Sequence, residues 1–350
     1  MHGTRYYRPE LDALRFFAFL AVLVHHGPAA PGFLGIIREA GGFGLSMFFL
    51  LSAYLITELL LREREQSGTI VWKFFFARRA LRIWPLYFAA VAAGVAFYQI
   101  NRMVAMGMLF FVANWIPGDA GRWLAPLWSI SIEEQFYLLW PPVIKLGGQT
   151  LALAVALVFA ATAGIWLCVF ADKGWRLWYD TPVQFLFFAA GVILALATRR
   201  SPKTDMKGGD RVFFLAAGFV LLALASRAGI GTALVIGLTR PILLLGYGAA
   251  AVGCSLIFRA VLGARNISRI LMYGGKISYG LYVFHSGMLE LSAWLTVPLR
   301  LVHFTALNMV AVDGVALLLS VGAAHLSYRY FEKPFLVLKE RFEVVQSRPA

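Results

Sequence analysis

Long apolar runs separated by short charged gaps make up nearly the whole of this sequence, and that alternation leaves few folds open. Apolar stretches occupy 10–27, 42–61, 83–100, 103–116, 127–146, 150–171, 182–198, 212–226, 240–262, 277–297 and 304–326. A helix needs about 20 such residues to cross the ~30 Å hydrocarbon layer, so 103–116 is the weak member. With 60% hydrophobic and 14% charged residues, no soluble domain is left over. The expected class is an all-α integral membrane protein.

Charge sets the topology. The 62–82 connection carries Arg62, Arg64, Lys73, Arg78, Arg79 and Arg82, and the 199–211 connection carries Arg199, Arg200, Lys203, Lys207 and Arg211. Both read as cytoplasmic, so an even number of crossings separates them. Five apolar stretches lie between, and 103–116 is therefore expected to be re-entrant or partial. Ten transmembrane helices remain, with both termini cytoplasmic; Arg329, Lys333, Lys339 and Arg341 near the C-terminus agree. The expected organisation is one membrane domain over 1–340 and a cytoplasmic tail over 341–350.

The excess of 32 Lys and Arg over 18 Asp and Glu is explained by these loops and calls for no nucleic-acid partner. Glu10 and Asp12 precede the first apolar run, no small-x-small cleavage site follows it, and the segment reads as an uncleaved first span. Cys168 and Cys254 fall on different apolar runs and suggest neither a disulfide framework nor a metal site. The two halves share no inverted pattern of broken helices, the cue expected of a secondary transporter.

Polar residues inside the apolar runs carry the chemistry. Arg15 and His26 are eleven residues apart in the first run. At about 100° and ~1.5 Å per residue they share one helix face, roughly 16 Å from each other. Ionisable groups at such depth are costly and point to a site. The plain alternative pairs Arg15 with Asp12 at i,i+3 and leaves His25 and His26 at the interface. Gly41-Gly42-Phe43-Gly44 opens the next run and suits close helix packing.

Arg78, Arg79 and Arg82 stand before Ile83-Trp84-Pro85, with Pro85 where a helix first turn tolerates it. Guanidinium forks at i,i+3 and i,i+4 suit a phosphorylated ligand, or serve as a topogenic lipid-headgroup patch. In Trp128-Ser-Ile-Ser-Ile-Glu-Glu-Gln135, Glu133 and Glu134 project about 100° apart, so one of them is expected to face a cavity. Glu134, at i+3 from Ser131, is the candidate; two acids at a helix start also simply favour its dipole. Ser278, Tyr282 and His285 recur at i, i+4 and i+7, a polar stripe that is either buried packing or part of a site.

Taken together, these segments resemble the acyltransferase 3 family of membrane-bound O-acyltransferases. The resemblance rests on Arg8-Pro-Glu-Leu-Asp-Ala-Leu-Arg15 with ten residues before His26, Gly41-Gly-Phe-Gly-Leu-Ser-Met-Phe-Phe-Leu-Leu-Ser-Ala-Tyr-Leu-Ile-Thr57, and Arg78-Arg-Ala-Leu-Arg-Ile-Trp-Pro85. Trp128–Pro141, Ile277–His285 and Ser327-Tyr-Arg-Tyr-Phe-Glu-Lys-Pro-Phe335 follow in family order. Where the family usually has Gly-Val-Asp-x-Phe-Phe and Ser-Gly-Phe, this chain has Gly44-Leu-Ser-Met-Phe-Phe49 and Ser52-Ala-Tyr54. The missing Asp bears on the acceptor more than on the reaction.

The resemblance implies ten membrane helices and transfer of an acyl group, commonly acetyl, from cytoplasmic acyl-CoA to a hydroxyl of a carbohydrate or glycolipid acceptor. That acceptor lies on the outer side of the bacterial membrane in glycan-modifying members. It also implies that Arg15 and His26 are the family's Arg-x10-His catalytic pair, and Arg79 and Arg82 its cytoplasmic Arg-x-x-Arg motif. Some relatives carry a fused extracytoplasmic hydrolase-like domain. None is present in these 350 residues, so a hand-off partner is expected to be a separate protein.

His suits the base that such a transfer needs near neutral pH. The expected catalytic set is His26, Arg15 and Glu134, with Arg78, Arg79 and Arg82 on the acyl-CoA. Asp12, Ser131, Glu133, Tyr282 and His285 are substrate or cavity candidates. Transfer is direct or passes through an acylated histidine. Two other classes use the same residues differently: a flippase for a lipid-linked sugar, with the charges lining a pathway, and a non-catalytic scaffold.

Overall fold

The computed structural model describes residues 6–98, 100–116, 120–201, 206–231, 238–297 and 305–346. All regular elements among them are helical. In chain order these are α1 (Pro9–His26), α2 (Gly32–Ala40), α3 (Phe43–Ser67), α4 (Trp72–Tyr98), α5 (Arg102–Leu109), α6 (Gly121–Leu124) and α7 (Trp128–Val169). There follow α8 (Thr181–Arg200), α9 (Gly208–Arg227), α10 (Arg240–Val261), α11 (Arg269–Lys276), α12 (Ser278–Thr296), α13 (Thr305–Ser327) and α14 (Lys333–Glu340). A 3-10 segment, Ala171–Tyr179, joins α7 to α8.

Among the described residues, seven stretches are long and apolar enough to cross a membrane: Gly32–Ser67, Trp72–Phe97, Gly121–Val169, Thr181–Arg200, Gly208–Arg227, Arg240–Val261 and Leu307–Glu340. Helices α1 and α12 are not among these seven, for a chemical reason. They carry Glu10, Asp12 and Arg15, and Ser278, Tyr282, His285 and Glu290, the polar groups that lower their mean hydropathy. Within α7, Gly148 takes φ +56° and ψ −136°, outside the helical region, and breaks the 42-residue element into two arms. Each arm is about 30 Å long, enough for a crossing. Helix α5, at eight residues, spans only about 12 Å and is too short to cross.

Helix α1 sits between two packed groups, which is why it is apolar nearly all round. Leu11, Leu14, Ala18 and Val22 join the larger core with α3, while Phe19 and Leu23 join Leu281, Leu289, Val312 and Ala316 of α12 and α13. Glycines permit the close approach of α1 to the start of α3. A Cβ on Gly44 would stand 2.3 Å from the Ala18 carbonyl oxygen, and one on Gly41 2.4 Å from that of Ala21. The glycines therefore serve helix packing.

Two boundaries differ from the sequence expectation. Helix α3 runs on to Ser67 and α4 begins at Trp72, so the arginines assigned to a 62–82 connection ride on helices and Pro85 lies inside α4. Ion pairs make this extension possible: the Arg78 Nη2 atom lies 2.8 Å from Glu63 Oε2, and Arg62 Nε lies 3.0 Å from Glu58. Residues 341–346, expected as a tail, pack onto the molecule. Arg78 donates to the Phe342 carbonyl at 2.6 Å, Lys339 pairs with Glu343, and the Tyr6 amide donates to the Gln346 carbonyl at 2.9 Å. Both ends of the described chain therefore lie on one side.

Candidate active site

Two cavities open at different levels along α1. One, of about 100 Å³, is lined by Arg15 from α1, Arg79 and Arg82 from α4 and Glu133 from α7, with Ser52, Ser129, Tyr137, Ser278 and Tyr282 around them. Leu45, Phe48, Phe49, Ile83 and Ile130 supply its apolar walls. Three cations and one carboxylate leave this arginine cavity net positive, a setting that gathers anions. Helical phase puts Arg79 and Arg82 on one face of α4. Asp12, buried beneath, holds Arg15: its carboxylate accepts from Arg15 Nη1 at 3.1 Å and from the Tyr7 hydroxyl at 2.9 Å.

The second cavity, of about 250 Å³, is lined by His25 and His26 at the end of α1, with Val22, Gly42, Leu45, Pro126 and Tyr282. Trp128, Trp175, Trp178 and Tyr179 form its aromatic walls. Its described lining holds no Lys, Arg, Asp or Glu. His26 is exposed to this histidine cavity. His25 is half-buried, and its ring faces Gly42, where a Cβ would come within 3.3 Å of Nε2. Its Nδ1 lies 3.0 Å from the Arg38 carbonyl oxygen. Arg38, on α2, also donates to the Val24 carbonyl and pairs with Asp313 of α13, which clamps the end of α1.

A histidine far away in sequence completes the arrangement. His285, fully buried on α12, places Nε2 3.4 Å from His26 Nδ1, with ring centroids 5.1 Å apart. Its own Nδ1 lies 2.6 Å from the Tyr282 carbonyl oxygen, and His26 Nδ1 lies 3.0 Å from that of Val22. Carbonyl oxygens only accept, so in the neutral rings both Nδ1 atoms carry the proton. His26 is thereby left with Nε2 as its free lone pair. That nitrogen is able to accept a proton.

The other expected site residues fall into two groups. Tyr282 lines both cavities, and its hydroxyl donates to the Pro126 carbonyl at 2.6 Å while meeting Ser129 Oγ at 2.7 Å. The carboxylate on the arginine cavity is that of Glu133, where the sequence pointed to Glu134. Glu134 turns toward Trp84, and its Oε1, like the fully buried Ser131 Oγ, has no hydrogen-bond partner among the described residues. Ser131, whose spacing pointed to Glu134, lines neither cavity. Arg78 is absent from the cavity lining, being taken up by Glu63 and Phe342. Replacing Arg78 by Ala is expected to cost about 3–5 kcal/mol of stability by stranding a buried carboxylate. A thermal melt of the purified protein checks this.

Sequence reasoning missed Ser52, Ser129, Tyr137 and the aromatic wall. Only the last had a visible signal, the Trp175-Arg-Leu-Trp-Tyr179 cluster in a connection between spans. Ser46, standing where the resembled family has Asp, is fully buried and lines neither cavity.

The family model described as "Acyltransferase domain" matches residues 8–328, which include every helix that contributes to the two cavities. The chain belongs to this acyltransferase family. It is 28% identical over 381 residues to the peptidoglycan O-acetyltransferase OatA of Listeria monocytogenes, covering 95% of this chain and 56% of that protein. It is 27% identical to the putative peptidoglycan O-acetyltransferase YrhL of Bacillus subtilis, with the same coverage. A putative O-acetyltransferase of Staphylococcus aureus is 25% identical, covering 98% of this chain and 59% of the relative. The chain thus spans little more than half the length of the curated relatives it matches. No solved structure matches it.

Proposed function

We propose that the chain is a membrane-bound O-acyltransferase that moves an acetyl group from acyl-CoA to a hydroxyl of a cell-envelope carbohydrate or glycolipid. One observation carries this reading: a cation-lined cavity and a histidine-bearing aromatic cavity meet along one helix. Arg79 and Arg82 hold phosphate oxygens of the donor, since guanidinium forks bind them in bidentate fashion, and Arg15 steers the anion from below. Glu133 balances part of the charge when the cavity is empty. The acceptor sugar packs on Trp128, Trp175 and Tyr179, whose faces offer large apolar area beside polar edges. The names of the relatives make peptidoglycan the first glycan to test.

In the reaction, His26 Nε2 takes the proton of the acceptor hydroxyl as its oxygen attacks the thioester carbonyl. The C–S bond breaks, the ester C–O bond forms, and CoA leaves as thiolate and regains the proton. His285 holds the His26 ring in the required tautomer. The test is mass spectrometry of glycans and lipids from cells with and without the gene. Loss of an O-acetyl mass increment is expected; identical profiles overturn the reading.

The topology proposed with this function has ten crossings: the seven apolar stretches, with α7 counted as two, plus α1 and α12. The arginine cavity then faces the cytoplasm, in the bacterial inner membrane. Reporter fusions after Arg64 and after Lys207 are expected to report cytoplasm; a periplasmic signal at Lys207 refutes the count. Membrane lipids surround the helices.

A further inference from the structure

The two cavities have only Leu45 and Tyr282 in common among their lining residues. We infer that these two side chains form the partition at which the acyl group leaves the arginine cavity, and that Leu45 sets the acyl length that passes. The inference rests on the acyl-transfer reading above and adds the crossing point and the donor specificity.

The two halves of the partition are held differently. Tyr282 is fixed at its hydroxyl by Pro126 and Ser129, and its ring packs beside Phe48 and His285, with centroids 6.2 Å and 5.4 Å away. Leu45 has no polar tie, yet its backbone is well placed, because Gly41 and Gly44 seat the start of α3 directly on α1. A hydrogen-bonded tyrosine and an apolar side chain without a polar tie thus line both cavities.

Packing points to a short acyl group. Longer chains must displace Leu45, Phe48 or Phe49, which line the arginine cavity and pack with the interior. A closed partition also keeps water on the histidine side from reaching the thioester before the acceptor does. The thioester carbonyl crosses only when it is attacked: the acceptor oxygen bonds to it, the C–S bond breaks, and CoA stays behind.

The test uses the full chain in inverted membrane vesicles from the producing cells, with acetyl-, butyryl- and octanoyl-CoA as probes and CoA thiol release as the readout. The wild type is expected to prefer acetyl-CoA to octanoyl-CoA by at least tenfold. Leu45→Ala, which removes three carbons, is expected to narrow that preference at least tenfold, and Leu45→Val, which removes one, to narrow it less. A second readout is independent of turnover. With Cys168 and Cys254 replaced by Ala, Ser52→Cys places a thiol on the arginine cavity. A charged, impermeant methanethiosulfonate is expected to reach it from one membrane face in the Leu45 protein and from both in Leu45→Ala. Unchanged acyl preference overturns the specificity role of Leu45. Two-sided labelling with Leu45 intact, or one-sided labelling without it, overturns the partition. Absence of thiol release from every acyl-CoA in the wild type refutes the acyl-transfer reading itself, while the labelling still decides the partition.

Discussion

His26→Ala is expected to abolish acyl transfer by the purified protein, whereas His25→Ala is expected to retain most of it. The expected loss for His26 is about 10²–10⁴-fold in kcat, the contribution of a positioned acid–base group. Although both rings line the same cavity, they stand differently. His26 is exposed to the cavity and has its Nδ1 proton held by Val22 and His285, while the His25 ring is turned against Gly42 and tied to Arg38. His285→Ala is expected to lower kcat less than His26→Ala, since the Val22 carbonyl still holds the His26 proton. Turnover measured at saturating acyl-CoA separates the three variants. A dead His25 variant beside an active His26 variant refutes the assignment of the base.

Replacing Arg79 and Arg82 together by Ala is expected to weaken acyl-CoA binding by about 10²-fold or more. Each charge-assisted contact is worth roughly 1.5–3 kcal/mol, and about 1.4 kcal/mol is a factor of ten in affinity. The two guanidinium groups act on one ligand, so their losses are not expected to add simply. Calorimetric titration of CoA into the purified double variant checks the result. Unchanged affinity returns both residues to the topogenic role that any cytoplasmic arginine patch plays. The contrast with Arg78 sharpens the test, because that side chain is taken up by Glu63 and the packed C-terminal segment and its loss is expected to appear as instability.

Several cavity-lining residues were legible because helical geometry is local. Arg15 and His26 lie on one stripe of α1, and Arg79 and Arg82 on one face of α4, whatever surrounds them. The family resemblance, carried by motifs in order, agreed with the family match over residues 8–328. What local geometry left open was environment. Glu133 and Glu134 are equivalent by composition and dipole, and only the packing of α7 against α3 and α4 turned Glu133 to the cavity. Arg78 reads like its neighbours in sequence, yet Glu63 from the preceding helix had already taken it.

The sequence by itself determined the membrane-embedded helical class, the stripe on α1 and the paired arginines, because hydrophobic length and a 3.6-residue period are properties of short segments. Tertiary structure alone decided that His285 meets His26 across 259 residues of chain, that Trp175, Trp178 and Tyr179 wall the histidine cavity, and that Leu45 and Tyr282 line both cavities. Those contacts depend on which face of one helix is pressed against which face of another. Helix periodicity carries no record of that choice.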